Sequence, residues 1–260
     1  YLGPDAAGVW ARAGDDTARP IASVTKLVTA LVVLDAVPLS GPDDAGPTLT
    51  FDAADEDLYD KYYVMGSTIA PMPVNSSLSL RDALTAMLVP SASNYAEAVS
   101  NWAFGSTGAF ADAAAGWLDR HGLTATTIVE PTGNSPRNVA TPSDLLQLAD
   151  IAAADPVVSA ILAQPSVRLP GAGTLTNTNR LLGRSGITGL KTGNLGPGTF
   201  TLLYSATLDV GIGSPLQVTG VTTGAQGRDS LDAAVVALLD SISGGFHEGP
   251  LSEAGGALGT

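Results

Sequence analysis

The chain has 260 residues, 45% of them apolar, a net charge of −13 and no cysteine. That is enough apolar material for one filled core, or for two subdomains around a shared cleft, and the acidic balance argues against a nucleic-acid partner, which needs basic patches. Without cysteine there is no thiol chemistry, disulfide or Cys-held metal, and two histidines give poor support to a His-rich metal site or a Ser-His-Asp triad, so neither metal nor cofactor is expected.

In chain order, residues 5–12 read as a short strand, Gly14-Asp15-Asp16 as a turn and residues 22–36 as a strongly apolar helix after Pro20. Residues 38–47 form a loop rich in Pro, Gly and Asp. Residues 50–63 carry many acids and tyrosines, with a helical turn or two. Helices are expected over 80–87 with Ser79 as cap, from Ser93 or Asn94 to about Trp102, over 110–121 ending at Gly122, over 142–153 with Thr141 as cap and Pro142 at the first position, and over 155–162. His121, in Arg120-His121-Gly122, reads as a helix end, where a cation suits the dipole. Residues 187–192, 199–209 and 216–223 read as strands, residues 228–241 as an amphipathic helix, and residues 244–260 as a loosely held Gly-rich tail.

This order predicts an α/β (α+β) fold, an antiparallel sheet flanked by helices with a large helical insert. Residues 1–38 and 180–243 would form the α/β subdomain and 39–179 the helical one, with the site in the cleft between them. No run reaches the roughly 18 apolar residues of a membrane helix. Tyr1-Leu2-Gly3-Pro4 has neither the basic nor the apolar region of a signal peptide, so no signal or anchor is expected within this chain.

The basic residues carry information. Nine are arginine and three are lysine: Lys26, Lys61 and Lys191. Arginine cannot lose its proton at usable pH, whereas lysine can be tuned into a base. Ser23 and Lys26 lie three residues apart in the first turn of the apolar helix, hence on one face. The helix N-terminus would supply N–H groups and a positive field to an oxyanion, and a buried lysine can accept the serine proton. On its own the pair also reads as an N-terminal helix serine beside a snorkelling lysine. Lys191-Thr192-Gly193 closes a predicted strand. There Lys191 would lower the pKa of Lys26 and attract a carboxylate, and Gly193 would admit another backbone. The alternative is an ordinary strand-to-turn junction. Between them lies Pro90-Ser91-Ala92-Ser93-Asn94-Tyr95, which also reads as a helix N-cap.

Taken in order, these segments resemble the Ser-x-x-Lys, Ser-x-Asn and Lys-Thr-Gly set of the penicillin-recognising serine enzymes. Residues 20–30 resemble the nucleophile segment of the low-molecular-weight D-Ala-D-Ala carboxypeptidases and endopeptidases. So do residues 80–84 with 87–91, Glu130-Pro-Thr-Gly133 with Asn138-Val-Ala-Thr141, and residues 177–182 with 189–193. The resemblance covers about residues 5–243. It implies a β-lactamase/transpeptidase-like fold and a serine D-Ala-D-Ala carboxypeptidase acting on peptidoglycan stem peptides and inhibited by β-lactams. The setting would be extracytoplasmic, secreted or held at the cell envelope. Ser23 would be the acylated nucleophile, Lys26 its base, and Ser91 the donor to the leaving amine. Lys191 and Thr192 would hold the terminal carboxylate, with Gly193 beside them and Arg228 either facing that carboxylate or serving as a surface arginine. The N–H groups of Ser23 and Asn194 would form the oxyanion hole.

One position departs from the pattern. The family places Asn two residues after the second-motif serine, but here Ser93 stands there and Asn94 comes one place late. Either Ser93 replaces the amide or a small shift brings Asn94 inward; serine offers one short hydroxyl in place of a carbonyl and two donors. Two other readings follow. In a class A-like β-lactamase, Glu130 would activate water, since Glu130-Pro-Thr-Gly-Asn134 resembles that family's glutamate loop. A non-catalytic peptidoglycan-binding or sensor module would suit the missing Asn.

Overall fold

The computed structural model describes residues 2–4, 11–211 and 214–243. The expected strand over 5–12 falls mostly outside these residues, and the tail 244–260 wholly so. Strands β1 (Leu2–Pro4) and β2 (Arg19–Pro20) precede a 3-10 turn, Ala22–Val24, which runs into α1 (Thr25–Ala36). Thus Ser23 sits in a tighter turn ahead of the α-helix rather than inside it. Thr25 to Leu34 are all buried, so α1 is a central helix with almost no solvent face.

After α1, β3 (Thr48–Thr50) leads to α2 (Ala53–Val64). This helix is longer than the turn or two expected, because Asp52 and Asp55 cap it reciprocally: Asp52 accepts from the Ala54 and Asp55 N–H groups, and Asp55 accepts from the Asp52 N–H. Strand β4 (Ser77–Ser79) pairs with β3, and Ser79 caps α3 (Leu80–Leu88) as expected. Helix α4 (Ser93–Phe104) ends on Gly105 at φ +81°. Helix α5 (Thr107–Arg120) starts a turn earlier than expected, capped by Ser106. His121 stacks on Trp117 at its end, 4.0 Å between ring centroids.

Strand β5 (Val139–Ala140) pairs with β2 and leads to α6 (Pro142–Ala154), with Thr141 as cap and Pro142 in its first turn. Asp155 caps α7 (Pro156–Leu162) from outside the helix. Strands β6 (Ser166–Leu169) and β7 (Gly173–Thr176) form a hairpin that the sequence pattern did not announce. The expected strand 187–192 divides into β8 (Ile187–Gly189) and β9 (Thr192–Gly193). Both pair with β10 (Phe200–Leu208), which pairs with β11 (Leu216–Ala225) before α8 (Arg228–Ser243).

The resulting sheet is antiparallel, in the order β1-β11-β10-β8, with β9 also on β10. Its two faces follow the period of two. Leu202, Tyr204, Ala206 and Leu208 pack with Leu231, Val235 and Leu239 of α8. Leu203 and Val221 on the other face join the large core around α1 and the surrounding helices. The turn before α1 therefore lies where the sheet edge meets the helical part. Among the described residues, no single helix is long and apolar enough to cross a membrane.

Candidate active site

Between Ile21 and Leu34 only Ser23 is not buried, so the hydroxyl is the one opening onto an otherwise enclosed segment. Lys26 is fully buried, and its Nζ lies 3.1 Å from Ser23 Oγ and 2.6 Å from the Thr132 carbonyl oxygen. Burial lowers the Lys26 pKa to about 7, against the opposing pull of the Glu130 carboxylate. An amine poised there, in contact with a serine hydroxyl, can take its proton near neutral pH.

Two close backbone approaches shape the turn. A Cβ on Gly133 would come 1.9 Å from the Ala22 carbonyl oxygen and 2.9 Å from the Ser23 nitrogen. One on Gly193 would come 2.6 Å from the Ile21 carbonyl oxygen. Only glycine fits at either place. Ala22 between them takes φ +50°, a left-handed conformation that L-residues rarely adopt away from functional sites.

The turn that presents the Thr132 carbonyl is folded around Glu130. Its Oε2 accepts from the Thr132 N–H and hydroxyl, both at 2.7 Å. Its Oε1 accepts from the Gly133 N–H (2.8 Å), the Ser135 N–H (3.1 Å) and Asn138 Nδ2 (3.0 Å). Asn138 Nδ2 also reaches Thr25 Oγ1 at the start of α1, 3.1 Å away. Both carboxylate oxygens are thus engaged within their own loop, which is poor preparation for activating a water in the manner of a class A β-lactamase.

At the junction of α3 and α4, Ser91 is buried at φ +68° and its Oγ has no hydrogen-bond partner. The two candidates after it separate cleanly. Asn94 Oδ1 accepts from the Ala70 N–H at 3.2 Å and its Nδ2 donates to the Ala70 carbonyl at 2.8 Å, so its amide is spent on the loop before β4. Ser93, also buried, is the first residue of α4. Neither side chain caps that helix; the cap position is Ala92, with no side-chain hydrogen bond.

Lys191 is buried between Leu190 and β9, and its Nζ donates to the Thr192 carbonyl at 3.2 Å. Burial first, then the positive charges of Lys26 and Arg228, push its pKa well below the ordinary lysine value. Thr192 Oγ1 lies 2.7 Å from Thr178 Oγ1, and Arg228 Nη1 donates to the Thr178 carbonyl at 3.1 Å. Arg228 opens α8 and is partly buried, so it belongs to this cationic wall rather than to a free helix start. Asn194 is exposed just beyond Gly193, where the chain leaves the turn that carries Ser23. The sequence pattern assigns no role to Thr132, Asn138 or Thr178, and gives Glu130 one only under the β-lactamase reading. Thr132, Asn138 and Thr178 contribute through contacts between distant segments, which a linear pattern does not display.

Comparison with known proteins identifies the family and the fold. A family model described as D-alanyl-D-alanine carboxypeptidase (peptidase S11) matches residues 5–225. A D-alanyl-D-alanine endopeptidase of Escherichia coli is 32% identical over 179 residues, covering 65% of this chain and 53% of its own length. A D-alanyl-D-alanine endopeptidase of Pseudomonas aeruginosa is 34% identical over 134 residues, covering 51% and 39%. The chain spans about half the length of these curated relatives, or less. A DD-transpeptidase from Streptomyces superposes with a TM-score of 0.77 at 23% identity, over 93% of this chain and 95% of that one. A peptidoglycan synthesis regulatory factor from Streptococcus pneumoniae superposes with a TM-score of 0.76 at 24% identity, over 93% and 72%. At these identities the superpositions speak for the fold.

Proposed function

The chain belongs to the D-alanyl-D-alanine carboxypeptidase family of serine DD-peptidases, and from that premise we propose that it releases D-Ala from peptidoglycan stem peptides through an acyl-enzyme on Ser23. The observation that carries this reading is the buried, near-neutral Lys26 in contact with the Ser23 hydroxyl.

In this mechanism Ser23 Oγ attacks the carbonyl of the penultimate D-Ala while uncharged Lys26 takes the hydroxyl proton. The N–H groups of Ser23 and Asn194 stabilise the oxyanion. As the C–N bond breaks, Ser91 passes the proton taken up by Lys26 on to the leaving amine, which returns both groups to their starting states; its hydroxyl, unpartnered in the free protein, is free to do so. Lys191, Thr192 and Arg228 form a cationic and hydroxyl-bearing wall suited to the terminal carboxylate. Water then releases the acyl group. A β-lactam would acylate Ser23 in the same way and remain attached. The substrate lies outside the cytoplasm, and we place the protein there with it.

The curated relatives are named endopeptidases, which favours a second reading, cleavage of the D-Ala bond within a crosslink. Release of D-Ala from a pentapeptide against opening of a crosslinked muropeptide separates the two.

The test of the acyl-enzyme is intact mass after exposure to benzylpenicillin. One added penicilloyl mass is expected on the wild type and none on Ser23→Ala. A folded wild type that gains no mass, or an adduct that survives in Ser23→Ala, would contradict it. Rapid loss of the adduct with hydrolysed drug would point instead to a β-lactamase.

A further inference from the structure

Of the residues of helix α2 only Tyr62 is buried, while Leu58 packs against the core from a half-buried position. The Tyr62 hydroxyl donates to Glu97 Oε2, the same oxygen that receives the Lys61 ammonium at 2.5 Å. Glu97 lies on α4 one turn past Ser93, with its side chain 13% exposed. On its other side the phenol is near the Glu130–Thr132 turn. Burial first, then the Glu97 and Glu130 carboxylates, raise its pKa above the ordinary tyrosine range, while the Thr132 side chain acts in the opposite sense. Tyr62 therefore stands where α2 and α4 meet.

The chain that follows α2 is fastened to the same end of α4. The Ser93 N–H donates to the Thr68 carbonyl at 2.8 Å, the Asn94 amide exchanges two bonds with Ala70, and the Tyr95 hydroxyl donates to the Pro71 carbonyl at 2.8 Å. The start of α4 is thereby fixed to the segment leaving α2, and α2 itself is pegged by Tyr62.

We propose that Tyr62 and Glu97 are a positioning pair for acylation: their hydrogen bond pegs α2, and with it the segment bonded to Ser93, Asn94 and Tyr95, to the helix that follows Ser91. The second-motif serines then keep one placement at the junction of α3 and α4. The pair acts through the placement of Ser91 and Ser93 and touches no substrate itself, and its role rests on the acyl-enzyme reading above. A misplacement of reacting groups of about 1 Å can cost on the order of 10²-fold in rate, so a peg of this kind would register in the chemical step.

The test measures the limiting acylation rate and the dissociation constant of the preceding complex, with a chromogenic cephalosporin. The proteins compared are the wild type, Tyr62→Phe, Glu97→Leu, Glu97→Gln and the double variant Tyr62→Phe/Glu97→Leu, each shown to be folded by its melting curve. Tyr62→Phe and Glu97→Leu are each expected to slow the limiting rate roughly tenfold, with the dissociation constant changed less than about twofold. Glu97→Gln keeps an acceptor for the phenol and is expected to stay within about threefold of the wild type. The double variant is expected to be no slower than the slower single one, as for two residues acting as a unit. A wild-type limiting rate in Tyr62→Phe, or losses that multiply in the double variant, would overturn the pair while leaving the acyl-enzyme intact. A wild type that is never acylated would overturn the reading itself, and the pair's role with it.

Discussion

Around Ser23, Lys26 and Glu130 have their partners inside the fold, whereas the Ser91 hydroxyl is buried with none. Both places hold an alanine or serine in left-handed backbone, at Ala22 and at Ser91. At the first, Gly133 and Gly193 press in from two sides and the strained turn is locked with its base already in contact. At the second, the strain holds a hydroxyl whose hydrogen bonds are unmade. The difference assigns them different tasks. In the proposed mechanism the nucleophile and base would be organised before substrate arrives, and the second-motif serine would complete its bonding when a ligand group reaches it.

The largest effect is expected at Lys26. Lys26→Met should lower acylation by roughly 10³-fold or more, since the serine proton loses its acceptor. The same variant should gain stability. Lys26 is uncharged in the fold above about pH 7 but is charged in the unfolded chain up to about 10.5, so the cost of burying it is complete below pH 7 and fades toward pH 10.5. Lys26→Met is therefore expected to raise the unfolding free energy by about 2 kcal/mol or more at pH 6, with the gain shrinking by pH 10. Denaturant unfolding at the two pH values checks it. Equal stability at both would remove the buried charge as the cause.

Ser91→Ala comes next. Acylation should fall roughly 10²-fold, the usual worth of a positioned proton donor. The melting temperature should hold or rise, because the variant discards a buried hydroxyl without a partner. A large loss of stability here would mean that Ser91 bonds within the free protein after all.

The smallest effect on chemistry and a clear effect on folding are expected at Asn94. Asn94→Ala leaves both backbone groups of Ala70 unpaired in a buried place, costing about 1–3 kcal/mol. Acylation by the folded variant should fall less than it does in Ser91→Ala. The reverse order would return Asn94 to the substrate-facing role that its bonds to Ala70 argue against.

That exchange between Ser93 and Asn94 marks where the sequence stops being readable. Ser23, Lys26 and Lys191 could be singled out because lysine is scarce and because their chemistry depends on spacing within single segments. The choice between Ser93 and Asn94 depends on Ala70, 24 positions away, and no local pattern carries it. Glu130 is hidden for another reason: its partners are close in sequence, but its carboxylate gathers their N–H groups only once the loop has closed.

Secondary structure was readable where an apolar stripe or a cap spoke for it, as at Ser79 with α3 and at Thr141-Pro142 with α6. Helix α2 was underestimated because it has almost no buried face; its capping box and the peg at Tyr62 replace the stripe that normally reveals a helix. The hairpin of β6 and β7 is short and largely exposed, so alternation has little to act on. The strand expected over 187–192 was continuous in β-propensity, yet Lys191 is needed in the interior, and the pairing changes on either side of it.

The central claim is that an uncharged, buried Lys26 is the base for Ser23, and the pH dependence of wild-type acylation tests it most directly. The second-order rate constant for penicillin acylation, measured from pH 5 to 9, should rise tenfold per unit on the acid side and level off through a single ionisation near pH 7, where Lys26 loses its proton. A profile flat across this range, or one whose acid limb lies near pH 4 to 5 as for a carboxylate base, would contradict it.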